Sequence, residues 1–281
     1  MLDRNIQKLC NFILQHLDEE LPNERLSRAA GVSKFHLQRQ FSAQTGVSLN
    51  KYVQLMRLKR ASYQLAFQPD ARILEVALNA GFESPESFAR VFKKTFGQTP
   101  SQFRKSPDWP LWHSKFPTTP SKGHEKMDVK VIDFPETKIA VLEHRGPVGR
   151  LMESVGKFIE WRKESGLSPV KSSATFGLAY CDPNTTPPAE FRFGISGSIS
   201  KDVPKNRQGV KTGTIPAGRC AVVRHLGCHD GLGEAIYYLY RTWLPENQAR
   251  TRDFPCFFHY RNLITDVAEK DLITDIHLPI V

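Results

Sequence analysis

The nine residues SKFHLQRQF, Ser33–Phe41, return as SPESFARVF, Ser84–Phe92, 51 residues further along the chain. Both stretches begin with Ser, carry Arg at the seventh position and end in Phe. Each follows an Ala-Gly pair, Ala30-Gly31 or Ala80-Gly81, which ends a short helical segment over 24–30 or 73–80. A glycine there suits a tight turn that needs positive φ. Ser33 and Ser84 stand where an N-cap is expected, and Pro85 fits the first helical position. The second helices run to Thr45 and Phe96, and Gly46 and Gly97 close them. The spacing predicts a helix–turn–helix made twice, the second copy with one extra turn residue, Glu83. Leu37 and Phe41 in one copy, and Phe88 and Phe92 in the other, face the partner helix.

The rest of the first 107 residues agrees with an all-α domain. Ile6, Leu9, Ile13 and Leu17 recur at helical spacing. A long helix spans about Leu49 to Ala66, with Tyr52, Leu55, Leu58 and Leu65 on its buried side, and Gln68-Pro69-Asp70 ends it. Further helix runs to about Arg104. The stretch 106–126 then holds four prolines and almost no periodicity. It reads as a linker, placed at 108–127, whose Trp109 and Trp112 are apolar enough to dock on a neighbouring domain. From 128 to 281 the pattern changes to strands: Val129–Phe134, Ile139–His144, Ala174–Cys181, Phe191–Ile199, Val210–Ile215, Arg219–His225, Pro255–Arg261 and Asp271–Leu278. Helices near 149–165 and 232–243 interrupt them, so this is an α+β domain. It also repeats: AVLEHRGP at 140–147 resembles AVVRHLGC at 221–228, with His144 and His225 offset by 81 and Trp161 and Trp243 by 82. Two such pseudo-symmetric halves commonly build one sheet with a central cleft.

Charge separates the two parts. The chain of 281 residues carries a net charge of +10, and residues 1–107 hold 16 Lys and Arg against 9 Asp and Glu, a net of +7. The helical part is therefore the expected binder of a polyanion. An α-helix fits the major groove of B-DNA, where Arg reads guanine and Gln reads adenine. Arg39 and Arg90 lie off the apolar stripes. Two modules on one rigid helix can enter successive major grooves, which recur every 34–36 Å. Double-stranded DNA is the expected partner.

Other function classes find no support in the residues. Five scattered cysteines argue against a disulfide scaffold, and the nine histidines show no zinc spacing. No catalytic triad order, P-loop or dinucleotide-binding glycine pattern occurs. No cofactor, no metal and no enzyme activity are expected. The start lacks a signal-peptide core and no stretch reaches the roughly 20 apolar residues that span a bilayer, so a cytoplasmic location is expected.

Residues 1–107 resemble the double helix–turn–helix DNA-binding domain of the AraC/XylS regulators, and within it the monomer-binding stress and multidrug-resistance activators. SKFHLQRQF, the intervening helix and AGFESPESFARVFKKTFGQTPSQFRK carry the resemblance over essentially the whole domain. It implies base contacts from Phe35, Gln38 and Arg39, with Phe35 in place of a usual Trp. In the second recognition helix the family's Gln–Gln–Thr cluster and later Arg are matched by Pro85, Glu86, Ser87 and Arg90, so only the arginine is retained. Glu86, Ser87 and Arg90 are the candidate base readers there. Ser33, Lys34, His36, Ser84, Lys93 and Lys94 are the candidate phosphate contacts.

In the second domain Tyr180, Phe193, Tyr238, Trp243, Phe258 and Tyr260 are candidates to line a ligand cleft, with His144, His225 and His259 as polar handles. Residues 128–281 resemble the GyrI-like effector-binding domain, through IAVLEHRGPVG, RCAVVRHLGCHDGL, YRTWLPE, FPCFFHYRN and DLITDIHLPI. The resemblance implies two pseudo-symmetric halves around a central pocket for amphipathic or cationic drugs, often with a pocket glutamate. Phe258 stands where that glutamate usually sits, which favours neutral or hydrophobic ligands. The expectation is a sequence-specific transcription regulator modulated by a small-molecule effector, with RNA polymerase as a further candidate partner and no membrane association. Two alternatives stay open: a DNA-associated protein whose C-terminal domain binds a protein partner such as gyrase, and a small-molecule hydrolase.

Overall fold

The computed structural model describes residues 4–68, 70–116, 127–183 and 185–281. The side chains of Arg4, Gln7, Lys34, Phe35 and Asp230 are outside that description. The chain divides into two compact units, one built on the helical first part with Gly227–His229 and Ile264–Leu272, and one on most of the residues from 127 onward. No helix among the described residues is long and apolar enough to cross a membrane.

The helical unit contains α1 (Arg4–Gln15), α2 (Asn23–Ala30), α3 (Lys34–Thr45), α4 (Leu49–Phe67), α5 (Ile73–Asn79), α6 (Pro85–Phe96), α7 (Pro100–Lys105) and α8 (Trp109–His113). Leu26 and Ala30 of α2, Leu37 and Phe41 of α3 and the stripe Ile6, Leu9, Ile13 and Leu17 bury against Leu49, Tyr52, Leu55 and Met56 of α4. This is the core of the first module. In the second, Phe88, Phe92, Phe96 and Phe103 form a chain of rings with centroids 4.8–6.3 Å apart. Gly31 and Gly81 adopt φ of 64° and 76°, the left-handed turn that the repeat predicts. Gly81 has a second constraint, because a Cβ there would lie 2.7 Å from a guanidinium nitrogen of Arg57. Ser84 accepts a hydrogen bond from the backbone of Ser87, and Pro85 opens α6. Ser33 occupies the same place before α3 with extended φ and ψ, yet its side chain makes no cap bond.

Helix α8 lies inside the stretch expected to be a linker. Asp108 caps it by accepting from the Leu111 backbone at 3.0 Å, and Pro110 sits in its first turn, where the missing N–H costs nothing. Trp109 and Trp112 are both buried, against Tyr63, Phe67 and Phe103. Burial of two indoles outweighs the weak local periodicity of this segment.

The second unit is one eight-stranded antiparallel sheet made of β1 (Val129–Phe134), β2 (Thr137–Arg145), β3 (Thr175–Ala179), β4 (Arg192–Ser198), β5 (Lys211–Ile215), β6 (Gly218–Leu226), β7 (Cys256–Tyr260) and β8 (Ile273–Pro279). Two helices cross over, α9 (Leu151–Ser165) and α10 (Leu232–Tyr238), and a π-helical turn, Leu239–Trp243, continues α10. The strand order is β1-β6-β8-β7-β3-β4-β2-β5. It reads the same from either end: each half contributes an outer strand, a long strand, a helix and two inner strands. The outer strands are exchanged. β1 belongs in sequence to the first half but pairs with β6, while β5 of the second half pairs with β2. The halves meet where β3 pairs with β7.

Residues directly opposite one another in neighbouring strands share a face. The register therefore draws one row across the sheet: Leu142, Ile195, Gly177, Phe258, Ile276 and Val223. Phe158 and Trp161 of α9 cover its first end with Ala140 and Leu142, and Leu232 and Ala235 of α10, with Leu239 of the π turn, cover the other with Ala221 and Val223. Both helices thus lie on the same face. Phe134, Phe176, Leu178 and Phe257 form a separate core on the opposite face.

Candidate nucleic-acid interface and ligand cleft

The exposed charged side chains described in α3 and α6 fall opposite the buried stripes. In α6, Glu86, Arg90, Lys93 and Lys94 are exposed and share a face at i, i+4, i+7 and i+8, while Phe88, Phe92 and Phe96 are buried. In α3, His36 and Arg39 are exposed, and Leu37 and Phe41 are buried. Lys34 and Phe35 are placed in the first turn of α3, and their side chains lie outside the described residues.

Two of the sequence candidates are already engaged. The Gln38 amide donates to Asn23 Oδ1 at 3.1 Å, which ties α3 to the start of α2. The Ser87 hydroxyl donates to the Ser84 carbonyl at 2.8 Å while the Ser84 hydroxyl accepts from the Ser87 backbone at 3.1 Å. That reciprocal cap holds both hydroxyls at the start of α6. A DNA base would compete with these partners for Gln38 and Ser87. Arg39, Arg90, Lys93 and Lys94 are exposed.

In the second unit the seven cleft candidates separate into three groups. Phe193, Phe258 and Tyr260 converge. Phe193 and Phe258 stack with centroids 6.0 Å apart, and Phe258 and Tyr260 are 6.2 Å apart. They close over Gly177: a Cβ there would meet Phe193 Cζ at 2.6 Å, Tyr260 Oη at 2.7 Å and Phe258 Cδ2 at 3.1 Å. Only glycine leaves room for the three rings at the seam between the halves. Tyr238 is buried on α10, and Trp243, at the end of the π turn, packs on the same cluster as Phe258 and Tyr260. Desolvation raises the Tyr260 phenol above its ordinary range, so it stays protonated and able to donate.

His259 and Tyr180 do not join this group. The period of two along β7 turns His259 to the opposite face from its neighbours. There it lies 4.7 Å from the Phe176 ring and 6.2 Å from His277, whose own ring stacks 4.7 Å from Phe257. Burial lowers both histidines to about 4. Asp275 lies between them and two arginines. Burial opposes its ionisation, but hydrogen bonds from Arg224 and Arg261, each 2.7 Å at the nearest nitrogen, hold it down at about 2. Tyr180 lies under the Arg192 guanidinium, 5.0 Å from ring centroid to carbon, and Arg192 also binds Glu143.

The polar handles His144 and His225 sit at matching points of the two halves. His144 Nδ1 is 2.9 Å from the Ser154 hydroxyl on α9, and its Nε2 faces the carbonyls of Gly146 and Pro147. The ring ties strand to helix. His225 stands beside Gly231, where a Cβ would come within 2.6 Å of the imidazole. Residues that the sequence reading missed are Gly177 and the loop-to-helix bond from Tyr237 Oη to Asp182 Oδ2 at 2.7 Å. Among the described residues no group of three His, Cys, Asp or Glu is arranged to hold a metal ion.

Residues 127–281, more than half of the chain, match the family described as the GyrI-like small molecule binding domain. The chain belongs to that family. Residues 26–106 match a helix-turn-helix domain family. The chain thus joins a helix-turn-helix domain to a GyrI-like domain. Over 154 residues it is 47% identical to the "Probable transcriptional regulator YgiV" of Escherichia coli K12, covering 55% of this chain and 96% of that one. Over 256 residues it is 28% identical to the "Right origin-binding protein" of the same organism, covering 85% and 84%. A solved structure described as the EcmrR–DNA complex matches at 15% identity with a TM-score of 0.48, over 93% of this chain and 85% of that one.

Proposed function

We propose that the protein reads an asymmetric duplex site as a monomer, with α3 and α6 in successive major grooves, and that an uncharged aromatic or apolar small molecule in the GyrI-like domain modulates it. The sequence of α3 supports placing it among the monomer-binding stress and multidrug-resistance activators. Arg39 and Arg90 read bases, together with Phe35 and Glu86. Gln38 and Ser87 take part once they leave Asn23 and Ser84. Lys34, His36, Lys93 and Lys94, with Ser33 and Ser84 at the helix starts, hold phosphates. Such a protein works in the compartment that holds the DNA.

One observation carries the ligand half of this reading. The row that faces both helices, from Leu142 to Val223, has no charged member, and Phe258 stands at its centre, stacked on Phe193. A buried cation without a carboxylate partner is costly, whereas ring faces and a neutral phenol suit an uncharged aromatic compound.

The test takes a duplex selected from a random pool and compares it with a scrambled one. R39A should lose about fivefold or more of the discrimination, as expected for a bidentate base contact worth about 1–3 kcal/mol. K94A should weaken both duplexes alike and flatten the salt dependence. Equal discrimination by wild type and R39A would remove Arg39 from the readers. For the ligand, a neutral aromatic dye and a cationic one of equal size are titrated against wild type and F258E. Wild type should prefer the neutral dye and F258E the cation; the same preference in both proteins would refute the cleft assignment.

A further inference from the structure

Helix α4 joins the two helix–turn–helix modules, and a single helix with free flanks bends easily. Here both flanks are tied. Lys59, Tyr63 and Phe67 of α4 form one stripe at i, i+4 and i+8, and α8 with its following residues runs along it. Trp109 stacks on Phe67 at 5.8 Å, Trp112 meets Tyr63 edge-on at 5.3 Å, and Phe116 lies under the Lys59 ammonium at 5.5 Å. Phe116 then touches both cores: it packs against the first module's cluster and lies 6.0 Å from Phe96 of the second. Arg57 is on the opposite side of α4. Its guanidinium donates to the carbonyls of Leu17 and Glu19, at 2.9 and 2.8 Å, just past α1. The same group fills the space that a side chain at Gly81 would need in the second module's turn.

We propose that Phe116, just past α8, and Arg57 are positioning residues that fix the angle between α3 and α6 and so set which half-site spacing the protein accepts. Each module has its own core, so neither tie is needed for a module to fold. Each tie spans the two modules, so its loss frees their relative angle. The proposal rests on the DNA-reading function given above, and goes beyond it by assigning spacing selectivity to residues that need not touch DNA.

The experiment uses the full chain. Binding is measured on the selected duplex, on duplexes with the half-sites moved apart by one or two base pairs, and on a single half-site. F116A and R57M should each reduce the preference for the native spacing at least fivefold while leaving single half-site affinity unchanged. F116L, which keeps the apolar contact, should restore most of it. In parallel, the distance distribution between labels at Ala43 and Lys94, both exposed on their helices, should be narrow in wild type and broad in F116A and R57M. Unchanged spacing preference, or an unchanged distance distribution in both variants, would overturn the assignment. If wild type prefers no duplex at all, the DNA-reading proposal fails, and the distance measurement still decides whether these residues hold the modules.

Discussion

Both units of this protein are duplications, but their copies relate in opposite ways. The helix–turn–helix copies stand in line on α4, and each closes around its own residues, Leu37 and Phe41 in one and Phe88 and Phe92 in the other. The sheet halves have traded strands, so that β1 completes the second half and β5 the first. Copies in line can drift apart in surface chemistry without disturbing each other. Only Arg39 and Arg90 remain alike between the outer faces of α3 and α6, while Glu86 has no counterpart in the first copy. Traded strands leave no such freedom, and the matched histidines and crossover helices persist in both halves.

The largest test of that contrast replaces a fully buried ring in each unit. F92A and F257A should each cost about 3–5 kcal/mol, the usual range for Phe to Ala in a core. Segment-resolved hydrogen exchange should then show F92A opening α5 to α7 while α1 to α3 stay protected, and F257A opening both sheet halves together. Protection lost from one half only in F257A would break the comparison. Next in size is the seam itself. G177V forces a branched side chain into the space held by Phe193, Phe258 and Tyr260, and should cost about 1–3 kcal/mol, the range for overpacking, read as a fall in the denaturation midpoint.

A smaller effect is tied to pH. His259 and His277 are held near 4 in the folded state, against an ordinary value of 6.5. Between those values the unfolded chain binds protons that the folded chain does not, so stability is complete above about 6.5 and falls as pH drops toward 4. At pH 5.5 the loss should be on the order of 1 kcal/mol per histidine. Asp275 does not mimic this, since it changes only below its ordinary range. H259F should flatten the profile between pH 7 and 5, checked by thermal melts of the full chain. Smallest is the capping difference: S84A should cost about 1 kcal/mol, and S33A much less, because only Ser84 makes the cap bond.

These elements were legible in the chain to different depths. The double helix–turn–helix followed from local signals, a repeated turn glycine and a repeated apolar stripe, and every strand of the sheet was foreseen within a few residues. Strand order was not, because pairing β1 with β6 is a contact over about 90 residues that leaves no local mark. Helix α8 was hidden by its prolines. Its stability comes from where Trp109 and Trp112 are buried, which is tertiary. His259 was grouped with Phe258 and Tyr260, although the period of two along a strand already placed it on the other face. The engagement of Gln38 with Asn23 spans two helices and could not be read from either.

Strand β8 comes last of the eight in the chain and sits between β6 and β7. A polypeptide ending before Ile273 would leave β1 and β6 as an isolated two-stranded ribbon beside a five-stranded remnant, and such a ribbon is barely stable in water. During synthesis the ribosome would therefore release the sheet to close only once its final strand has emerged. Products of early termination would carry open strand edges that proteases and chaperones can recognise, while the helical modules made before them could already have folded.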